Sequence, residues 1–433
     1  MTNPIIVVVV SVTNAPAPAT LLATGAFLSC GGTTLTPGTY QVLSTDASLA
    51  SILTPAATIT SITWSGGTAT VTTAAAHGIP SGATIQATIA GATPTGYNGN
   101  FAATYASATT FTYPLASNPG SETVPGTWQP TSAVELTQMN TTYWAQGTNV
   151  APYVLELGLV AVNAAVTALG NFITASPQFF SRYLVSRSWV SNSAFQTFVG
   201  TFAAPNNITY FHIPVGSATY TNFANAKAAI CCAEAPNLPA TEYTAAARFA
   251  LELATAPSSS SPLAPMSYRY VFGCTSYPTT GNTTLLTAFN TADVDYIGTG
   301  SQGGISYQII YGGNNMDGNP FTFWYATDWG IVNLALDLAN AVINGSNTSQ
   351  NPLYFDQTGI NRLKAVSVQT LTNGGTFGMY MPGFTVSAVP FTTFVQQNPS
   401  DYEEGLYNGL SASAVPKRGF LNIVFNLNVS NLG

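Results

Sequence analysis

The last regular segment of the chain, Phe420-Leu421-Asn422-Ile423-Val424-Phe425-Asn426-Leu427-Asn428-Val429, constrains the fold more than any other. Leu421, Ile423, Phe425, Leu427 and Val429 share one face while Asn422, Asn426 and Asn428 lie on the other, the period-two pattern of a half-buried strand. Such a strand needs a sheet for its backbone and a cover for its apolar face. The opposite end poses the same demand, because Ile5, Ile6, Val7, Val8, Val9 and Val10 form a β-branched run followed by the linker-like Asn14-Ala15-Pro16-Ala17-Pro18. Two readings are open. The ends pair with each other or with their own body, or they reach into neighbouring subunits and add strands to the sheets there.

Charge begins to separate the two. Asp, Glu, Lys and Arg make up 6% of the 433 residues, against about 25% in a typical soluble chain. Thr, Ser, Asn, Gly and Ala replace them, leaving a surface with little repulsion to hold copies apart, and association is the simpler consequence. The net charge is −7 and no Lys or Arg precedes Arg182, so no basic patch for nucleic acid can be assembled from the first part of the chain. The N-terminus lacks the cationic start of a signal peptide, and no apolar run approaches the roughly 18 residues of a membrane span, so no membrane insertion is expected. Cys30, Cys231, Cys232 and Cys274 lack metal-ligand spacing and read as buried reduced thiols, which fits a reducing compartment.

The length predicts two or three domains. From about Ala56 to Pro130 come short Thr/Ala/Val-rich strands, Thr58 to Trp64, Thr68 to Thr73, Thr84 to Ile89, Asn100 to Ala106 and Thr109 to Tyr113, separated by glycine turns. They predict a small all-β, sandwich-like module with about six strands. From Thr131 the chain reads as mixed α/β. Val162, Ala165, Val166, Leu169, Phe172 and Ile173 form a helical stripe, Phe179 to Val185 a strand, Asn192 or Ser193 caps a helix through Phe202, and Ile208 to Pro214 is a second strand. Tyr268 to Phe272 and Ile305 to Tyr311 also read as strands, Thr255 to Pro265 as a loop, and Ile331, Leu334, Ala335, Leu338 and Val342 as an amphipathic helix.

Candidate chemistry is sparse. Gly298-Thr299-Gly300-Ser301-Gln302-Gly303 matches the dinucleotide fingerprint, but a strand pattern follows where the pyrophosphate would need a helix N-terminus. Asp293, Asp295, Asp317 and Asp328 lack a regular metal spacing. His77 stands with no second ligand nearby and reads as a turn histidine; neither histidine sits in a nucleophile or acid–base constellation. No cofactor, metal or catalytic residue is expected.

The segment from Asp317-Gly318-Asn319-Pro320 through Trp329, the helix after it, and Phe355-Asp356-Gln357-Thr358-Gly359-Ile360-Asn361-Arg362-Leu363 resemble the tail sheath proteins of contractile-tailed bacteriophages. The ending, Asp401-Tyr402-Glu403-Glu404-Gly405 to Gly409, a linker, and Gly419-Phe420 before the last strand, is similar too. His77 to Gly82, Thr95 to Gly99 and Thr109 to Tyr113 resemble the small immunoglobulin-like decorations of phage structural proteins. The resemblance implies an α/β (α+β) layered core with terminal strand arms and an inserted immunoglobulin-like module: residues 1–55 as arm and start of the core, 56–130 as the insert, 131–419 as the core and 420–433 as the C-terminal arm. It also implies a helical homo-oligomer of stacked rings around a tail tube, with baseplate and tail terminator partners. Such a subunit is a virion component assembled in the host cytoplasm. Ile5 to Val10 and the apolar face from Leu421 to Val429 would add to the sheets of neighbouring subunits and keep the lattice connected while the bodies rotate, with Lys417 and Arg418 near the inner wall as tube contacts. A carbohydrate-binding surface adhesin is the alternative, and an enzyme using the glycine loop a weaker one.

Overall fold

A computed structural model describes residues 22–176, 179–279, 281–300 and 307–421. Its centre is a six-stranded sheet of β1 (Gly25–Ser29), β2 (Tyr40–Val42), β9 (Tyr153–Glu156), β10 (Arg182–Leu184), β11 (Tyr210–Val215) and β12 (Ala229–Ala233), in the order β12-β11-β10-β1-β9-β2. All neighbours are parallel except β2, which runs antiparallel to β9 on the edge. Strands β1, β10, β11 and β12 are buried along their whole length, as parallel strands covered on both faces must be. On one face Leu28, Tyr183, Phe211 and Ile213 meet α2 (Val162–Ala175) and α3 (Ser193–Gly200). On the other, Phe27, Val154, Leu184 and Ile230 meet α1 (Thr131–Ala145) and α4 (Thr244–Leu253). Strand alternation sends the adjacent Cys231 and Cys232 into these two different cores, and all four cysteines are free thiols. The expected Asn192 cap of α3 is present, its side chain accepting from Phe195 N at 3.0 Å.

Between β2 and α1 the chain forms β3 (Ala57–Ser65), β4 (Thr68–Thr73), β5 (Thr84–Ala90), β6 (Gly99–Ser107), β7 (Thr110–Pro114) and β8 (Thr127–Pro130). The five strands expected here are present within two residues of their limits. Their arrangement differs from a sandwich: β8 pairs with both β3 and β5 and closes the six strands into an antiparallel barrel. Closure removes the sheet edges that a sandwich this small would expose. Ile62, Val71, Ile85 and Phe111 fill the inside. Outside, the register aligns a row of threonines, Thr63, Thr70, Thr112, Thr104 and Thr84, across five strands.

Beyond β12 the chain adds α5 (Thr283–Thr291) and the pair β13 (Tyr296–Thr299) and β14 (Gln308–Tyr311). Tyr268–Phe272, expected as a strand, supplies only one isolated bridge, Tyr270 to Ile309, because Tyr268 takes a left-handed φ of 68° that breaks the extension. The strand expected from Phe179 starts only at Arg182, since Phe179 and Phe180 instead pack on Tyr40. A long helix, α6 (Phe321–Ser346), begins ten residues before the stripe that predicted it, directly after Pro320, and pairs with α7 (Gln357–Thr376). The last elements are β15 (Thr385–Ala388), α8 (Phe391–Gln397), α9 (Pro399–Glu403) and β16 (Leu410–Ser413).

Candidate assembly surfaces

Many of the rare charges are inside. Ten of the 25 charged side chains are buried, namely Glu135, Glu156, Arg182, Lys227, Glu234, Glu242, Arg248, Glu252, Asp295 and Asp328. Glu252 on α4 lies 2.5 Å from Arg182 Nε, 2.9 Å from Arg248 Nη2 and 3.4 Å from His212 Nε2. Burial pushes its carboxyl up, but Arg248, His212 and Arg182 together outweigh that and hold it well below the usual range. Arg248 also reaches Asp295 at 3.2 Å. Burial raises Asp295 to about 6 against the pull of Arg248 and of Gly313 N–H. Asp328 accepts from Tyr210 OH at 2.7 Å, and burial lifts it to about 7, only partly offset by that bond, Lys227 and Arg182. Glu156 accepts from Ser29 Oγ, Gly31 N, Thr33 N, Thr33 Oγ1 and Gly158 N, tying the loop after β1 to the end of β9. These groups knit elements together, and their partners are other parts of the protein.

The residues weighed for chemistry are dispersed in the same way. Asp293 accepts from Asn314 and Asp317 from Trp324 Nε1, so the four aspartates have separate structural partners. Among the described residues no group of three His, Cys, Asp or Glu could hold a metal. His77 is a turn histidine: Ile79 N donates to its Nδ1 at 3.1 Å, which leaves Nε2 to carry the proton and donate to Ser107 O at 2.7 Å. Gly298 and Thr299 lie on β13, and β14 follows where a nucleotide would require a helix; Ser301 to Gly303 lie outside the described residues. No helix among the described residues is long and apolar enough to cross a membrane.

The C-terminal region is built to present edges. Strands β15 and β16 pair antiparallel from Thr385–Ser413 to Ala388–Leu410, and further bonds, Met381 N to Val415 O and Lys417 N to Met379 O, extend the ribbon toward its root. It is two-stranded, with no third strand among the described residues, and both strands are largely exposed. A ribbon of two strands is marginal alone. Its root is pinned by Tyr380, which is buried between α6 and α7 and donates to Ala326 O at 2.7 Å. Gly374 makes the room, since a Cβ there would stand 2.5 Å from the Tyr380 ring.

Of the residues expected in the arms, Ile5, Ile6, Val7, Val8, Val9 and Val10 and Ile423, Phe425, Leu427 and Val429 lie outside the described residues, while Leu421 is about half exposed. Lys417 and Arg418 follow the ribbon. Arg418 donates to Asn319 at 3.2 Å and sits over the Phe323 ring, and neither cation has a carboxylate at ion-pair distance among the described residues.

The fold has counterparts among solved structures. It aligns with the anti-feeding prophage helical sheath in its contracted state over 98% of this chain and 99% of that one, with a TM-score of 0.54 and 10% identity. The fold is that of a tail sheath protein. A chain of the anti-feeding prophage baseplate aligns over 97% and 95%, with a TM-score of 0.57 and 10% identity. No family model matches the chain, and no curated protein matches it by sequence. Within this sheath fold, sequence reasoning missed the β15–β16 ribbon, because Thr-Val-Ser-Ala and Leu-Ser-Ala-Ser are too short and too weakly apolar to stand out. It missed the Glu252 cluster as well, although Arg248 and Glu252 stand four apart in an otherwise apolar helix and signal a buried pair.

Proposed function

We propose that the chain is the subunit of a contractile tail sheath, a virion structural protein that polymerises helically around a tail tube between baseplate and tail terminator. The observation that carries this reading is the alignment, nearly end to end in both chains, with a helical sheath in its contracted state. The β15–β16 ribbon supports the finer mechanism: two open edges on an element with one face on α7 offer a place for strands from neighbouring subunits, and both termini carry sequences suited to supply them. Exchanged strands keep the lattice connected while the bodies rotate, and the extended state is a kinetic trap whose release contracts the sheath and drives the tube through the host envelope. No cofactor or catalytic step enters. Purified subunit, alone and with tube protein, is to be imaged by negative-stain electron microscopy. Tubes or stacked rings are expected; dispersed particles that bind glycan would replace this reading with that of an adhesin.

A further inference from the structure

Outside the ribbon, one patch of this surface is unusually aromatic. Tyr268, Tyr270 and Phe272 point outward at every second position and are 43%, 51% and 48% exposed, while Val271 between them is buried. Tyr307, 63% exposed, packs its ring edge-on against Tyr270 at 5.5 Å. Tyr270 and Phe272, either side of buried Val271, have the two-residue spacing of the alternate side chains of an extended chain, and Tyr268 continues the apolar patch beyond the bend at its own position.

The structure also shows a segment arriving there. Gly419 abuts Pro265, where a Cβ would stand 2.5 Å from the proline ring, and the Tyr268 hydroxyl donates to the Leu421 carbonyl. Gly419 and Leu421 thus follow Pro265 and Tyr268 in the same direction, and the described chain ends at Leu421 against the first aromatic of the stripe. The sequence beyond it carries apolar residues, Ile423, Phe425, Leu427 and Val429, at every second position.

We propose that the stripe of Tyr268, Tyr270 and Phe272 is a docking site for residues 422–430 of the same chain, occupied in the unassembled subunit. The inference deepens the sheath reading, on which it rests for what the segment does next: docked in cis, the C-terminal arm is withheld from neighbours until assembly draws it away. The ribbon and the stripe then compete for one strand.

The test uses the full chain at concentrations where it sediments as a monomer, so it is read without any sheath forming. A photo-crosslinking p-benzoylphenylalanine replaces Tyr270. A crosslink to residues 422–430 within a species of monomer mass is expected; no crosslink to that segment, or one found only at dimer mass, overturns the proposal. In parallel, chymotrypsin cleavage at Phe425 is followed in wild type and in Tyr270→Ser/Phe272→Ser. Release of the arm predicts cleavage faster by about tenfold or more in the variant, and equal rates overturn the proposal. Failure to form tubes with tube protein would count against the sheath reading alone, because neither measurement depends on assembly.

Discussion

Glu252 stands among Arg182, Arg248 and His212 with hardly any solvent contact, so its charge is compensated only by its neighbours. Replacing it by Gln leaves the buried Arg182 guanidinium without its counterion and Arg248 with Asp295 alone, and Glu252→Gln is expected to cost about 3–5 kcal/mol in denaturant unfolding of the isolated subunit. Asp328 works in the opposite sense. Its native proton affinity is raised from 3.8 to about 7, so the folded state holds a proton that the unfolded state has lost between those values. The stabilisation is complete below about pH 4 and is lost as pH rises through 7, a decline of about 4 kcal/mol at roughly 1.4 kcal/mol per tenfold in affinity. Asp295, raised to about 6, adds to the same trend. Melting of Asp328→Asn, which keeps an acceptor for Tyr210, is expected to vary markedly less between pH 5 and 8 than wild type. None of this was legible in the sequence, where Asp295 and Asp328 stood as two loose carboxylates; three-dimensional burial, which no spacing encodes, sets their chemistry.

Periodic elements were easier to foresee. The α2 stripe, the Asn192 cap and the barrel strands each carry a local signal, and each is found. Where the environment overrides the local pattern, reading fails: the first turns of α6 bury Thr322, Ala326 and Gly330 as well as the face of Phe321, Trp324 and Tyr325, so the polar residues that would mark an exposed side are missing there. For the C-terminal arm, deletion of 420–433 is expected to abolish polymerisation while costing the body no more than about 2 kcal/mol, the loss of its surface docking; a drop of about 4 kcal/mol or more would make the strand part of the subunit's own core. Phe425→Asp, with one charge on the apolar face, is expected to do the same. Replacing Lys417 and Arg418 by Ser is expected to weaken tube-templated assembly and flatten its salt dependence, since each exposed pair contributes only about 0–1 kcal/mol but acts in many copies. Unchanged salt dependence in a turbidity assay would remove the tube contact.

The architecture as a core with an insertion was visible from the change in texture near residues 56 and 130, whereas closure into a barrel was not, because pairing of β8 with β3 and β5 is a long-range event. That pairing carries its own prediction. Thr58 lies opposite Thr127, so the chain enters and leaves the barrel on neighbouring strands and a short linker can bridge the gap. Excision of 56–130 is expected to leave a soluble body with a single cooperative transition in calorimetry, and an insoluble product would make the barrel part of the core. The central sheet divides the interior into two cores, and Cys231 and Cys232 sit one on each side of that partition. A short pulse of thiol alkylation during unfolding therefore writes the order of events into one peptide: molecules whose two cores open together gain both labels at once, and any in which one core opens first appear as a singly modified mass.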